Sequence, residues 1–244
     1  MDKSYFLSAL LLFLIWEIIF IVVGNSLLLP GPIETAVKLV ELITTGALWT
    51  PLLSTVAKAT LGMLLALLLS LFTGFLLGIS NFLYILFRPV ILTLQAVPIV
   101  SWLALAILWW GVGFRSPMYI VFLTLFPIMT LNIIQGVRSV DIKLIEMAKV
   151  FSLKKGIIFK DIYLGSILPF VFSSLKISSG AMWKSVAVAE FMVGATGIGR
   201  KIADAKYFLD TSSVFAYTLV LVFLGLVSET VFNVISKKVF NYAG

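Results

Sequence analysis

Apolar residues in this chain come in long blocks, not in the short alternation of strands or the one-sided stripe of a soluble helix. About 20 consecutive apolar residues carry a helix across the roughly 30 Å hydrocarbon core of a bilayer, and six stretches reach that length. The first runs from Tyr5 to Gly24, interrupted by Glu17; the second runs from Leu52 to Ile79, with Lys58 near its start. The third covers Phe82 to Val112, carries Arg88 near its start and is broken by Pro98, so Pro89 and Pro98 predict a bent helix or a re-entrant pair. The fourth runs from Met118 to Val137, the fifth from Ile167 to Phe191 with Lys176, Lys184 and Glu190 inside it, and the sixth from Val214 to Ile235 with Glu229. The pattern predicts an all-α integral membrane protein of six transmembrane helices.

Two segments between these blocks are amphipathic. Ile33, Val37, Val40 and Ile43 recur at helical spacing with Glu34, Lys38 and Glu41 elsewhere, which predicts a helix lying on the outer interface. Residues 1–50 thus hold the first span and this helix, and residues 51–244 form the core transmembrane domain. In the loop 138–165, Leu144, Ile145, Ala148 and Phe151 form one apolar stripe with Glu146 and Lys149 off it, and a second short helix is expected from Gly156 to Tyr163. Such a loop fits either a docking surface for a partner or an interfacial helix with snorkelling basic residues. Lys3 ahead of the first block, with small Val22 and Gly24 behind it, resembles a weak signal peptide; the block has full spanning length, so it is expected to be retained.

Composition narrows the function. Of 244 residues, 61% are hydrophobic and 12% charged, with mean hydropathy +1.14; a soluble domain carries about 25% charged residues, so a soluble enzyme is excluded. The net charge of +7 is too sparse for a surface that tracks nucleic acid. Its placement matters more. Arg138, Lys143, Lys149, Lys154, Lys155 and Lys160 put the densest basic cluster in the loop 138–165, which the positive-inside rule places in the cytoplasm. With six spans both termini are then cytoplasmic, in agreement with Lys3, Lys237 and Lys238. Cys and His are both absent, so no thiolate or imidazole metal site, Cys nucleophile or Ser-His-Asp triad is available, and no cofactor is expected. The GATGIGR run at Gly194–Arg200 lacks the Lys-Ser/Thr ending of a phosphate-binding loop and reads as a flexible turn leaving the fifth span. Any ATP hydrolysis falls to another chain.

Glu146, Met147 and Ala148, followed by Ile162, Leu164, Leu168 and Pro169, resemble the EAA loop of permease subunits in binding-protein-dependent ABC importers. LPGP at Leu29–Pro32, QAVP at Gln95–Pro98, AILWWGVG at Ala106–Gly113, GVRSVD at Gly136–Asp141 and AEF from Ala189 with its GATGIG run resemble the branch that handles nitrate, sulfonates, taurine and bicarbonate. Three positions depart from the pattern. Met147 replaces the second letter, Gly165 replaces a Pro, and Ser152 stands where Gly is expected, a change tolerated if that turn needs no positive φ.

The resemblance implies a type I importer permease of MetI-like fold, pairing with a second copy around a central path. It also implies a separate ATP-binding subunit on the cytoplasmic face and a solute-binding protein outside. Glu146, Met147, Ala148, Val150, Phe151, Ser152 and Leu153 would then couple the permease to the ATPase. For the path, Lys176, Gly180 and Lys184 share one stripe of the fifth span with Ser173, a basic and hydroxyl-bearing surface that favours an anion. Alternatively Lys176 snorkels to the headgroups and Lys184 neutralises Glu17, Glu190 or Glu229. Glu190 is open to a structural hydrogen bond or to solute contact, and Gln95, Asn132 and Trp183 are further path residues; Gly74 and Gly78 read as helix packing. Two alternatives stand beside this reading: a gradient-driven carrier acting alone, and an importer of a vitamin precursor of pyrimidine or riboflavin type.

Overall fold

The computed structural model describes residues 3–241, and among these the regular elements are all helical. In chain order they are α1 (Lys3–Val23), α2 (Pro32–Thr44), α3 (Trp49–Ile79), α4 (Asn81–Ala96), α5 (Ile99–Trp110), α6 (Arg115–Arg138), α7 (Ile142–Val150), a single turn α8 (Lys155–Ile157) and a wide π-helical turn (Ile158–Tyr163). That turn runs directly into α9 (Leu164–Val193), followed by α10 (Ile198–Tyr207) and α11 (Thr211–Asn241). Four helices are long and apolar enough to cross a membrane: α3, α6, α9 with its leading turn, and α11. The predicted Gly156–Tyr163 helix therefore exists only as the short and wide turns that feed α9, and the loop after α9 holds an unforeseen helix, α10.

The third expected span is two helices, α4 and α5, bent by 92°. Pro98 lacks an N–H and forces Val97 into extended backbone (φ −63°, ψ 123°), which stops α4 at that point. The ends of the pair decide between a broken span and a re-entrant loop. Asn81, at the start of α4, accepts a hydrogen bond from Arg138 at the end of α6, while Ser116, at the start of α6, donates to the carbonyls of Ala106 and Gly111 at the end of α5. The pair thus runs antiparallel to α6 from one end to the other and crosses the same thickness, as a broken span.

Small residues set the core. Ala59, Gly62, Ala66, Ser70, Gly74 and Gly78 lie along one side of α3 and are buried. A Cβ on Gly62 would sit 2.6 Å from the Met118 carbonyl oxygen, and one on Gly74 would sit 2.7 Å from Ile133 Cγ2. Without side chains there, α3 and α6 approach backbone to backbone, the mode by which helices associate in lipid. Ser70 and Thr130 bridge the same contact: Thr130 donates to Ser70 Oγ at 3.1 Å, and Ser70 donates to the Phe126 carbonyl at 3.1 Å. Met182 and Val186 of α9 close this core from the other side with Val121, Leu125 and Met129.

The remaining elements dress this three-helix centre. α2 packs on α11 through Leu42, Ala216, Tyr217 and Val220, while its predicted stripe of Ile33, Val37, Val40 and Ile43 stays exposed, as an interfacial helix requires. Asp210 caps α11, accepting hydrogen bonds from the Ser213 N–H at 3.0 Å and hydroxyl at 2.6 Å.

Candidate functional site

The segment 141–163 is built to project. Asp141 opens α7 by accepting from the Lys143 N–H at 2.9 Å. At the other end the Leu153 N–H reaches the Ala148 carbonyl at 2.9 Å, closing the helix with Ser152 at φ 51°. This is the closure that glycine usually provides, because a left-handed residue with a Cβ is strained. The turn does need a positive φ, so Ser152 carries strain where the EAA pattern has Gly. Ala148 is fully buried, and α7 packs on the π-helical turn Ile158–Tyr163. Met147, Phe151, Leu153 and above all Val150 (81%) are exposed, and Glu146 is exposed beside them. The predicted stripe is thus divided: Ala148 faces inward, and the apolar tip around Val150 and Phe151 faces away from the chain.

This projection is anchored to the bundle by aromatic contacts that sequence reasoning missed. The Phe75 ring of α3 meets Phe159 and Tyr163 edge-on, with centroids at 5.2 and 5.7 Å. Phe170 fills the space beside Gly136 of α6. The π-helical turn that feeds α9 is thus held against α3 by packed rings and is not a loose linker.

The path residues fall into three groups. Lys184 and Trp183 line a cavity of about 480 Å³ between α9 and α11, together with Gly180, Thr218, Gly225 and Glu229. Trp183 is itself buried and donates to Ser228 Oγ at 2.9 Å, which sets Lys184 and Glu229 at one level of the cavity. Among the described residues no carboxylate lies within 4.0 Å of Lys184. Ser173 and Lys176 lie on the same exposed stripe of α9, nearer its start. Gln95 is exposed at the end of α4, a helix that packs on α3 and α6, so the subunit does not bring it to Lys184. Asn132 donates to its own helix, at the Ile128 carbonyl.

Glu190 stands apart, enclosed within the subunit. Lys58 Nζ lies 2.8 Å from Glu190 Oε1, and both side chains are 0% exposed. Thr55 donates to Oε2 at 2.7 Å and the Gly199 N–H at 3.0 Å, while Lys58 also donates to the carbonyl and hydroxyl of Thr196. Thr55 Oγ1 in turn accepts from the Ile198 N–H at 2.8 Å. Every polar atom of the pair is thereby matched, as a charge in low dielectric demands. The partner of Glu190 is thus Lys58, not Lys184, which lies on the exposed face of α9 while Glu190 is buried. The GATGIG turn is correspondingly a fitted lid and not a flexible exit. Gly197 adopts φ 115°, and any Cβ there would collide with the Glu190 carboxylate. The sequence signal for this latch was a lone Lys and a lone Glu in two apolar blocks, since opposite charges inside a membrane seek each other.

Residues 59–241 match the family of the binding-protein-dependent transport system inner membrane component. The chain belongs to that family. As such a permease it shares 30% identity with the Bacillus subtilis protein SsuC, named for aliphatic sulfonate transport, over 93% of this chain and 83% of that one. The taurine transport system permease protein TauC of Escherichia coli is 24% identical over 97% of this chain and 88% of its own. The nitrate import permease protein NrtB of Synechococcus elongatus is 28% identical over 87% and 80%. The permease fold also matches the solved MetNI methionine ABC transporter in an inward-facing form, with TM-score 0.67 and 17% identity over 78% of this chain and 94% of that one. The permease is therefore a transmembrane subunit of an ABC importer, and the self-sufficient carrier reading gives way to it.

Proposed function

We propose that this permease forms half of a translocation path for a small anion, of the sulfonate, taurine or nitrate kind, in the inner membrane. A second copy covers the exposed face of α9, and a binding protein delivers the solute from outside. The loop 138–165 and both chain termini face the cytoplasm, and a separate subunit hydrolyses ATP.

The carrying observation is the exposed apolar tip of α7. Val150, Phe151 and Leu153 are exposed at the end of a helix that packs on the π-helical turn and buries Ala148, and exposed apolar clusters of this kind mark docking sites. Closure of an ATPase dimer that grips this tip moves α7. The rings of Phe159 and Tyr163 against Phe75 carry that movement to α3, so the two permease copies rock between inward-open and outward-open states. Lys184 offers the anion its charge in a cavity whose other walls are mostly apolar.

Substitution at the tip separates docking from folding. Val150→Asp and Phe151→Ala are expected to leave membrane insertion intact and to weaken co-purification of the ATP-binding subunit by about ten-fold or more, the scale of one lost apolar anchor at an interface. Ser152→Gly, which relieves a strained φ without touching the tip, is expected to keep docking. Undiminished co-purification and solute-stimulated hydrolysis in both tip variants would remove the docking assignment. Ala148→Trp is a poor probe, because Ala148 faces the subunit's own interior.

A further inference from the structure

At the end of the bundle where α4 begins and α6 finishes, two guanidinium groups converge on one ring. Arg138 Cζ lies 4.2 Å from the centroid of Tyr84 and Arg88 Cζ lies 5.6 Å from it. Arg88 is four residues beyond Tyr84, so its side chain runs back along α4 toward the helix start, the direction helical side chains favour. Arg138 also donates to Asn81 Oδ1 at 3.1 Å. Among the described residues no carboxylate lies within 4.0 Å of either guanidinium; the described ion pairs belong to Lys38, Lys58, Arg200 and Lys201. Each guanidinium presents five N–H donors in a planar fork. One amide oxygen and one π-face leave most of those donors, and both charges, unmatched by protein.

The surroundings identify what matches them. Phe82, Ile85, Leu86, Phe87 and Val90 are exposed around this corner of α4, so in a membrane-spanning chain the medium beside the two arginines is lipid. A Tyr at this level belongs to the interfacial belt. We infer that Arg88, Arg138, Tyr84 and Asn81 form a binding site for the phosphate headgroup of an anionic phospholipid. Guanidinium forks fit phosphate oxygens bidentately, and basic pockets between transmembrane helices take anionic headgroups. The inner-face orientation proposed above supplies only the leaflet; the site itself rests on the four side chains. Because Arg138 ends α6 just ahead of the segment leading to α7, an occupied site pins the root of the projecting loop.

The test uses the full-length permease in neutral detergent, titrated with fluorescent phosphatidylglycerol, phosphatidylcholine or inorganic phosphate, with unfolding temperature recorded alongside. Phosphatidylglycerol is expected to bind saturably and raise the unfolding temperature, while phosphatidylcholine and millimolar phosphate do neither. The Arg88→Gln/Arg138→Gln variant is expected to bind phosphatidylglycerol about thirty-fold more weakly, and Arg88→Gln alone about five-fold more weakly. Arg88 is exposed and carries none of the ion pairs above, so the single variant keeps the experiment decisive should the double variant fail to fold. Unchanged affinity in Arg88→Gln, or equal protection by phosphatidylcholine, would overturn the site. Equal protection by inorganic phosphate would assign it to a free anion and overturn the lipid claim. Neither ATPase nor solute enters the readout, so this result and the docking result fail independently.

Discussion

Helix α9 carries Lys184 and Glu190 in opposite circumstances. Glu190 is sealed inside the subunit, where Lys58, Thr55 and the Gly199 N–H match its oxygens. Lys184 faces a cavity with Glu229 on its wall and no described carboxylate within 4.0 Å. Both charges cost free energy in a membrane, yet the protein neutralises one from several sides and leaves the other without a fixed partner. Saturation with internal partners is the mark of a structural charge, whose absence of free valence leaves nothing for a solute. An ionised group held at a cavity without a carboxylate against it keeps its interaction capacity for something that arrives. Intramembrane charge alone does not tell the two apart; in the function proposed above, the partner count does.

The largest expected effect comes from breaking the sealed pair. Glu190→Ala or Lys58→Ala strands one buried charge, and each is expected to cost about 3–5 kcal/mol of stability, read as a lower unfolding temperature of the purified permease. Replacing both, as in Lys58→Met with Glu190→Leu, removes the stranded charge and is expected to recover much of that loss. If the single and double variants were equally destabilised, the pair would not be the latch described.

Lys184 should behave in the reverse manner. Lys184→Gln is expected to change stability by less than about 0.5 kcal/mol, as for an exposed position. Transport in the assembled importer is expected to fall about ten-fold or more, the weight of one charge-assisted hydrogen bond of roughly 1.5–3 kcal/mol. A variant that unfolds early but transports at full rate would reverse the comparison and make Lys184 structural.

Asp210 extends the series to a charge at the water-facing cap of α11 and carries the smallest effect. Partial burial opposes its ionisation, but the Ser213 hydroxyl and N–H and the nearby Lys38 outweigh that, holding its carboxyl below the ordinary value of 3.8. A depressed folded-state value means its stabilising contribution is complete above 3.8 and is lost as pH falls through the lower folded value. Asp210→Asn is therefore expected to lower the unfolding temperature slightly at pH 7 and to differ less from the parent protein as the pH drops below 3.8. A gap that widened on acidification would refute the sign.

Much of the architecture was legible because the bilayer imposes it. Block length alone placed α1, α3, α6, α9 and α11, and the missing N–H of Pro98 announced the break between α4 and α5. The projecting helix was visible as a stripe in a basic loop. What stayed hidden depends on contacts distant in sequence. Lys58 and Glu190 are 132 residues apart, so periodicity within either helix carries no trace of their pairing. Reading GATGIG as loose followed from glycine's freedom, whereas Gly197 is there because a carboxylate fills the space its Cβ would need. Ser152 shows the converse: its residue type left the φ of that turn open, and the helix closure imposed a left-handed one.

Which face the α7 tip occupies tests the central claim most directly, and the absence of native cysteine makes it accessible. In cells bearing the whole importer with Val150→Cys in the permease, a membrane-impermeant thiol reagent should fail to label until the cells are permeabilised. A thiol crosslinker should then join that position to the ATP-binding subunit. Labelling of intact cells, or a permeabilised complex with no such crosslink, would contradict the account.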